Sequence, residues 1–466
     1  MEVAAKFYLQ YHLDLAEGEM EKNLTSGSVF KTIVVFALPY LLSYFLQTLY
    51  GMADLFIIGQ FNGVDSITAV ANGSQVMYTL TVIIVGLAMG ATVTIGRAVG
   101  AGAQREAAKA IGNTITLFML LSVIVMAGLL LSVRNIVTLI GTPIESTEGT
   151  IRYLTICFLG IPFITAYNII SSIFRGMGDS KRPMYFIAVA CGTNIALDYL
   201  FIGLLDIGSS GAALGTILSQ TLSVIVALVA IRRWHMGIPL KKSDFRLQRE
   251  ILQKLLRVGV PVAVQDGCIQ VAFIIITVFA NHRGLDDAAA VGIVEKVISA
   301  LFIVPSSMLA TVSALSAQNI GAGKHDRAAK TLRYATMITC TYGTIVALII
   351  QVTAASVVGA FTTDGMVVLL GSQYIRGYIW DCIFAGVHFC FSGYFCAYGR
   401  SYIGFLHNII AIALVRVPGS YLASKLFADT LFPMGLAALG GSALSVVICV
   451  SVFFWLKRHS RLETAV

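Results

Sequence analysis

The chain has 466 residues, of which 57% are hydrophobic and 12% are charged. Soluble domains carry about a quarter charged residues, so this composition excludes an ordinary soluble enzyme and indicates a membrane protein. The net charge of +8 is explained by basic residues in the loops, which set membrane topology, and nucleic-acid binding is not expected.

The first residues, 1–28, are polar and of mixed charge, without the apolar core of a signal peptide. Beyond them, apolar stretches long enough to cross about 30 Å of hydrocarbon recur along the chain. No stretch alternates in polarity as the strands of a membrane β-barrel do. We predict an all-α integral membrane protein with twelve transmembrane helices, called spans one to twelve.

Span one carries a polar stripe with helical spacing: Tyr40, Ser43, Gln47, Tyr50 and Asp54. Such a stripe faces the bundle interior, because exposure of these groups to lipid would cost several kcal/mol. Pro39, just before the stripe, removes a backbone donor and favours a kink. It is interpreted either as a moving hinge or as a static bend.

A motif after span two occurs again in the second half of the chain. GRAVGAGAQREAAK begins at Gly96, and AQNIGAGKHDRAAK begins at Ala317; FRGMGDS at Phe174 likewise returns as FCAYGRS at Phe395. The unit of about 220 residues is therefore duplicated. The glycines of the two GAG motifs are expected to allow tight turns into short amphipathic helices, 104–109 and 324–333.

Spans five and six supply further polar side chains. Asn194 and Asp198 are four residues apart and share one helix face, and Thr216 lies on a polar face of span six. If these spans pack against span one, Asp54 and Asp198 share an oxygen-rich pocket. Two carboxylates resist joint ionisation in a low-dielectric medium, so the pair suits proton uptake or the binding of a hard cation.

Most of the 32 Lys and Arg lie in the terminal segments and in the loops that follow even-numbered spans. The positive-inside rule then places both termini in the cytoplasm of a multi-pass cell-membrane protein. Six spans per copy give two parallel repeats related by a pseudo-two-fold axis along the membrane normal. The predicted units are a cytoplasmic N-terminal segment (1–28), an N-lobe (29–231), a cytoplasmic linker (232–250), a C-lobe (251–457) and a cytoplasmic tail (458–466).

The second repeat has its own intramembrane acids, but Asp54 and Asp198 have no acidic counterparts there. We therefore predict ion coupling in the N-lobe alone. A possible second-lobe ion site comprises Asp266, Glu295 and Asp381. The alternative interpretation is that these acids are neutralised by the intramembrane cations Lys296 and Arg416.

Motifs for other functions are absent from the sequence. The nearest match to a nucleotide-binding P-loop, GAGKH at Gly321, lacks the upstream glycine and the Ser or Thr. No metal-ligand spacing is present, and the eight cysteines lie in or beside apolar stretches. We predict a transporter rather than an enzyme, without a cofactor or metal, driven by an ion gradient.

The sequence resembles the multidrug and toxic compound extrusion (MATE) transporters over nearly its whole length. The resemblance rests on ALPYLLSYFLQTLYGMADLFIIGQF in span one, the repeated loop motifs, the pair FRGMGDS and FCAYGRS, and the N-x-x-x-D of span five. It implies two six-helix lobes that export amphipathic, cationic compounds by alternating access, in exchange for H⁺ or Na⁺.

The DinF-like branch of this family gives the better match. The resemblance implies ion coupling at Asp54, Asn194, Asp198 and Thr216, accompanied by Tyr153. That branch's span-four asparagine is replaced by Ser171 here, with Asn168 one turn away. In the sodium-coupled NorM-like branch, Asp381 fits the span-ten acid, but Gln270 stands where the span-seven Glu is expected.

Substrate identity is only weakly encoded. The candidates for residues that line the substrate cavity are Gln47, Asn72, Gln75 and Tyr78. The expected partners are small-molecule substrates and membrane lipids. The protein is expected to be a monomer. A lipid or polysaccharide-precursor flippase of the same superfamily is the alternative function, although it usually has extra spans or a strongly basic cavity. A non-transporting scaffold or receptor is disfavoured by the buried acids.

Overall fold

The computed structural model describes residues 24–234 and 237–459. The predicted N-terminal segment, linker and tail therefore lie partly outside the described residues, and the domain limits stay predictions. Within the described part, ten single helices and two bent helix pairs are long and apolar enough to cross a membrane. Counting each pair as one span gives the twelve that the sequence predicts.

In chain order, the spans are Val29–Phe61, Val64–Gly100, Gln104–Leu139, the pair Ile144–Leu159 and Ile161–Gly176, Lys181–Leu204, Ser209–Arg233, Arg249–Asn281, Leu285–Gly321, His325–Gly359, the pair Gly365–Tyr378 and Asp381–Ala397, Ser401–Leu426, and Phe432–Arg458. The all-α membrane architecture is thus confirmed. Exposed leucines such as Leu131, 88% accessible, form the apolar outer surface expected of helices that face lipid.

Some helices depart from the regular spans that the sequence suggests. Span four bends by 50° and span ten by 42° between their two segments. Spans five and eleven each contain a π-helical stretch, Tyr199–Leu204 and Ile412–Arg416. Span one, in contrast, is one helix through Pro39, so the hinge assigned to this proline stays a prediction.

The prediction of separate short amphipathic helices after the repeated motifs is wrong. Gly102 and Gly323 do adopt positive φ, 68° and 70°, a conformation that glycine tolerates without strain. The helices that follow begin at Gln104 and His325 and run on as spans three and nine. The predicted segments are therefore the first turns of transmembrane helices.

The two repeats share a core at one end of the bundle, which we call the motif end because it carries the repeated GAG motifs. One cluster of buried apolar side chains there contains Phe36, Met89, Val258, Leu315 and Phe395, from both repeats. A second cluster, with Ala98, Ala107 and Phe174, fills the N-lobe beside these motifs, and separate clusters fill each lobe farther from this end. The molecule is thus two packed lobes joined by a common core at the motif end.

The described linker is fixed to the N-lobe. A short 3₁₀ helix, Lys242–Phe245, places Asp244 against Arg105 of span three, with a nitrogen–oxygen distance of 2.7 Å. The Asn113 amide donates to the Asp244 carbonyl at 3.0 Å, and its oxygen accepts from the Gln248 backbone at 2.7 Å. Because Asp244 and Gln248 both bond to span three, this part of the linker belongs structurally to the N-lobe.

Candidate ion-coupling site in the N-lobe

Four predicted residues meet inside the N-lobe, where spans one, five and six adjoin. The Asp54 carboxyl lies beside Asp198 and Asn194 and accepts a hydrogen bond from the Thr216 hydroxyl at 3.2 Å. Asp54 is 3% exposed, Asn194 1% and Asp198 0%. The helical register of three separate spans therefore brings together residues up to 162 positions apart.

Glycine allows the close approach of span five to span six. A methyl group at Gly215 would collide with Asp198 Oδ1. Substitution by any larger residue would require the carboxylate to move. Gly215 is a site residue that the sequence analysis missed; its position one residue before Thr216 was the available signal.

Several polar atoms of this cluster have no partner in the described protein. They are Asp54 Oδ1, both Asp198 carboxylate oxygens and both polar side-chain atoms of Asn194. Buried polar atoms are rarely left unsatisfied without a functional reason. Oxygens from two carboxylates, an amide and a hydroxyl form a donor set suited to a proton or a hard monovalent cation.

Tyr153 adjoins this cluster through its electrostatic interaction with Asp54. Its hydroxyl is 3.0 Å from the Ser74 hydroxyl of span two, and its side chain is 2% exposed. Ser74 is a second residue that the sequence analysis missed. Of the residues considered for the span-four asparagine, Asn168 donates to the Ile164 carbonyl at 2.8 Å, and Ser171 is fully buried.

The four cavity candidates differ in accessibility. Gln47 and Asn72 are half-buried, and Gln75 is exposed. Tyr78 is 54% exposed and interacts electrostatically with Asp266 of span seven. Tyr78 therefore borders the space between the lobes.

The predicted second-lobe acids do not gather in one place. Asp266 lies where span seven meets span two, against Gly86. Glu295 and Asp381 instead surround Arg416 inside the C-lobe and interact electrostatically with it. Asp381 is 1% exposed. The structure therefore separates Asp266 from the other two acids.

Comparison with known proteins identifies the family. The MatE family model matches residues 39–200 and again 261–422, which together make up most of the chain. The chain belongs to the MatE family. The two matches also reproduce the internal repeat.

Relatives match the MatE chain over nearly its whole length. It is 28% identical over 404 residues to the probable multidrug resistance protein YoeA of Bacillus subtilis, covering 85% of this chain and 87% of YoeA. A MOP superfamily transporter from Pyrococcus furiosus, described as having a binding pocket of reverse polarity, superposes with a TM-score of 0.86 at 22% identity, over 95% and 98% of the two chains. A multidrug resistance MATE transporter in an outward-facing conformation gives 0.85 at 22% identity, with the same coverage.

These matches confirm the predicted family and the twelve-helix fold. The protein is a multi-pass membrane transporter rather than an enzyme, because MatE proteins are transporters. Small molecules are its substrates, as the family match implies. The identity of those substrates and of the coupling ion belongs to the proposal below.

Proposed function

We propose that this transporter exports amphipathic, cationic organic compounds from the cytoplasm in exchange for inward H⁺, with Asp54, Asn194, Asp198 and Thr216 as the coupling site. The observation that carries the proposal is the side-by-side placement of two buried carboxylates, Asp54 and Asp198. Both termini and the motif end then face the cytoplasm, by the distribution of Lys and Arg. Similarity to a probable multidrug resistance protein and to a multidrug export protein supports the substrate class.

The chemistry of the site explains how exchange would work. Two adjacent carboxylates in a low-dielectric interior resist carrying two negative charges, and in the described chain no Lys or Arg forms an ion pair with either of them. A proton bound between them satisfies this requirement. Its release on the cytoplasmic side leaves the N-lobe more negative, which favours binding of a cationic substrate.

Substitution of Asp54 tests the proposal directly. In proteoliposomes loaded with a cationic dye such as ethidium, an imposed pH gradient should drive dye transport by the unmodified protein. Asp54→Asn should reduce this rate at least about tenfold, which corresponds to an increase of at least about 1.4 kcal/mol in the activation free energy of transport. Asp65→Asn, which alters an exposed acid of span two, is the matched control and should transport normally.

Three results would contradict the proposal. pH-driven dye transport that survives Asp54→Asn intact would remove the coupling site from the N-lobe. Transport driven by a Na⁺ gradient alone would replace H⁺ as the coupling ion. Movement of a fluorescent lipid instead of the dye would favour the flippase alternative.

A further inference from the structure

A buried arginine lies at the centre of the C-lobe. The Arg416 guanidinium donates a hydrogen bond to the Tyr378 hydroxyl. Its central carbon lies 4.7 Å from the ring centroid of Phe273 and 5.6 Å from that of Tyr378. Cation–π attraction to these rings, together with the hydrogen bond, fixes the charge of Arg416 in position between spans seven, ten and eleven.

Two carboxylates interact with this guanidinium without touching it. Glu295 of span eight accepts a hydrogen bond from the Thr277 hydroxyl at 3.3 Å, and both Glu295 and Asp381 interact electrostatically with Arg416. Within the described residues, neither acid forms a direct ion pair with it. The titratable groups that face Arg416 are Glu295 from span eight and Tyr374, Tyr378, Asp381 and His388 from span ten.

The internal repeat relates this cluster to the N-lobe site. In the register that aligns Gly100 with Gly321, Ser74 corresponds to Glu295 and Tyr153 to Tyr374. Ser74 and Tyr153 are joined by a hydrogen bond 3.0 Å long in the N-lobe. A glutamate and a tyrosine occupy the two equivalent positions in the C-lobe.

The span that carries Arg416 follows the same relationship. The π-helical stretch of span eleven ends at Arg416, and from this residue onward span eleven aligns with span five at an offset of 222 instead of 221. Asn194 then matches Arg416, and Tyr199-Leu200 matches Tyr421-Leu422. Asn194 is one of the residues beside Asp54. Where the N-lobe has an amide among acids, the C-lobe therefore has a permanent positive charge among acids.

We propose that Arg416 is a fixed internal cation that takes, in the C-lobe, the place of the exchangeable ion in the N-lobe, and so confines ion exchange to one lobe. A guanidinium is always protonated, and a cation tethered to the chain cannot be released. Glu295 and Asp381 are then neutralised at a distance and bind no coupling ion. The inference rests on the proposed function in one respect only, namely that the N-lobe acids bind an exchangeable ion.

Removal of the charge should turn the C-lobe cluster into an ion-responsive site. Arg416→Gln leaves two buried acids uncompensated, which strongly destabilises a fold. At pH 8 in choline chloride, the purified variant should therefore melt about 5 °C or more below its parent. Replacing choline by Na⁺, or lowering the pH to 5.5, should recover most of that loss, because a mobile cation or proton then neutralises the acids.

Matched variants assign the response to this cluster. All measurements are made in an Asp54→Asn background, which removes one of the two N-lobe carboxylates and leaves the same N-lobe contribution in every variant. Arg416→Lys, which keeps the charge, should show no gain of Na⁺ response. Adding Glu295→Gln to Arg416→Gln removes one negative charge and should abolish most of the Na⁺ response while raising the melting temperature in choline.

The possible outcomes decide the proposal. Arg416→Gln that melts like its parent, or that ignores both Na⁺ and pH, overturns it. A Na⁺ response of the parent that disappears with Glu295→Gln also overturns it, since the C-lobe would then bind ions with Arg416 present. If Arg416→Gln cannot be purified, recovery of folded protein by Glu295→Gln supports the proposal, and failure to recover contradicts it. Dye transport that survives Asp54→Asn would refute the proposed function without affecting these melting curves.

Discussion

At the scale of single residues, the N-lobe site depends on one missing methyl group. Asp198 reaches the cluster because Gly215 leaves room for its carboxylate. The acid lies in a fully buried position on the helical turn before a π-helical stretch. Its placement therefore depends on the neighbouring span as much as on its own.

Gly215→Ala should displace the Asp198 carboxylate from Asp54. Overpacking of this kind costs about 1–3 kcal/mol of stability, and the loss of the paired carboxylates should also reduce pH-driven dye transport. Gly192→Ala in span five is the control, because a methyl group there meets no atom within 4 Å. A Gly215→Ala protein with normal stability and normal transport would show that the close approach is not needed.

The sequence was informative about this site because polar residues are rare in membrane helices. The stripe that ends at Asp54 predicted an inward face, and the N-x-x-x-D spacing predicted Asn194 and Asp198 on one helix side. Thr216 was placed beside Asp54 correctly. The sequence contained no comparable signal for Ser74 bonding to Tyr153, since a serine in span two is compatible with many positions.

At the scale of helices, local signals explain only some of the irregularities. The bend in span four falls at Gly160, followed by Pro162, a pattern that interrupts helices. The bend in span ten, between Tyr378 and Asp381, contains neither glycine nor proline. Tyr378 and Asp381, which border that bend, both interact with Arg416 in the C-lobe, and a local sequence pattern does not contain such a long-range relationship.

The linker helix is a second element whose position comes from long-range bonds. Asp244 has no exposed side-chain surface, and its carboxylate accepts from the Lys241 backbone amide at 2.8 Å. That hydrogen bond, with the Arg105 guanidinium, holds the pKa of Asp244 below its usual range. A carboxyl with a lowered pKa in the folded state stabilises at neutral pH, and this contribution is lost as the pH falls through the folded value.

Asp244→Asn should therefore loosen the linker at neutral pH. Hydrogen exchange of residues 241–248 should be faster in the variant than in the unmodified protein at pH 7. In the unmodified protein, exchange of these residues should accelerate only when the pH falls below about 4, near the usual pKa of aspartate. Glu250→Gln, which changes an exposed acid on the adjacent helix, should leave exchange unaltered. Equal linker exchange in Asp244→Asn and the unmodified protein at pH 7 would show that the carboxylate does not fix this segment.

At the scale of the whole molecule, the repeated motifs contact each other across the two lobes. Arg97 Nε donates to the Ala397 carbonyl at 2.8 Å, and Gln318 Nε2 donates to the Gly176 carbonyl at 2.9 Å. Arg97 corresponds to Gln318 in the repeat, as Gly176 does to Ala397. Each lobe therefore uses its loop motif to bind the end of span four or ten in the other lobe.

Glycines of the same motifs allow this approach. A side chain at Gly100 would collide with the Gln318 carbonyl, and one at Gly321 would collide with the Arg97 carbonyl. The duplication was evident from the sequence, but the reciprocal pairing was not, because a repeat specifies equivalent positions and says nothing about contacts between copies. Both hydrogen bonds must break if the lobes separate at the motif end during alternating access.

Removal of these two bonds should therefore favour separation of the lobes at the motif end. A hydrogen bond contributes about 0.5–1.5 kcal/mol, or about 1.5–3 kcal/mol where a charged group such as Arg97 takes part, so each alanine variant should raise the population of the separated state several-fold. Hydrogen exchange of residues 96–104 and 317–325 should rise in Arg97→Ala and in Gln318→Ala. The double variant should multiply the two effects, because both bonds oppose the same motion. The exchange rate of Arg97→Gln, which retains a donor, should be closer to that of the unmodified protein than the rate of Arg97→Ala is. Unchanged exchange in the double variant would mean that the apolar core alone keeps the motif end closed.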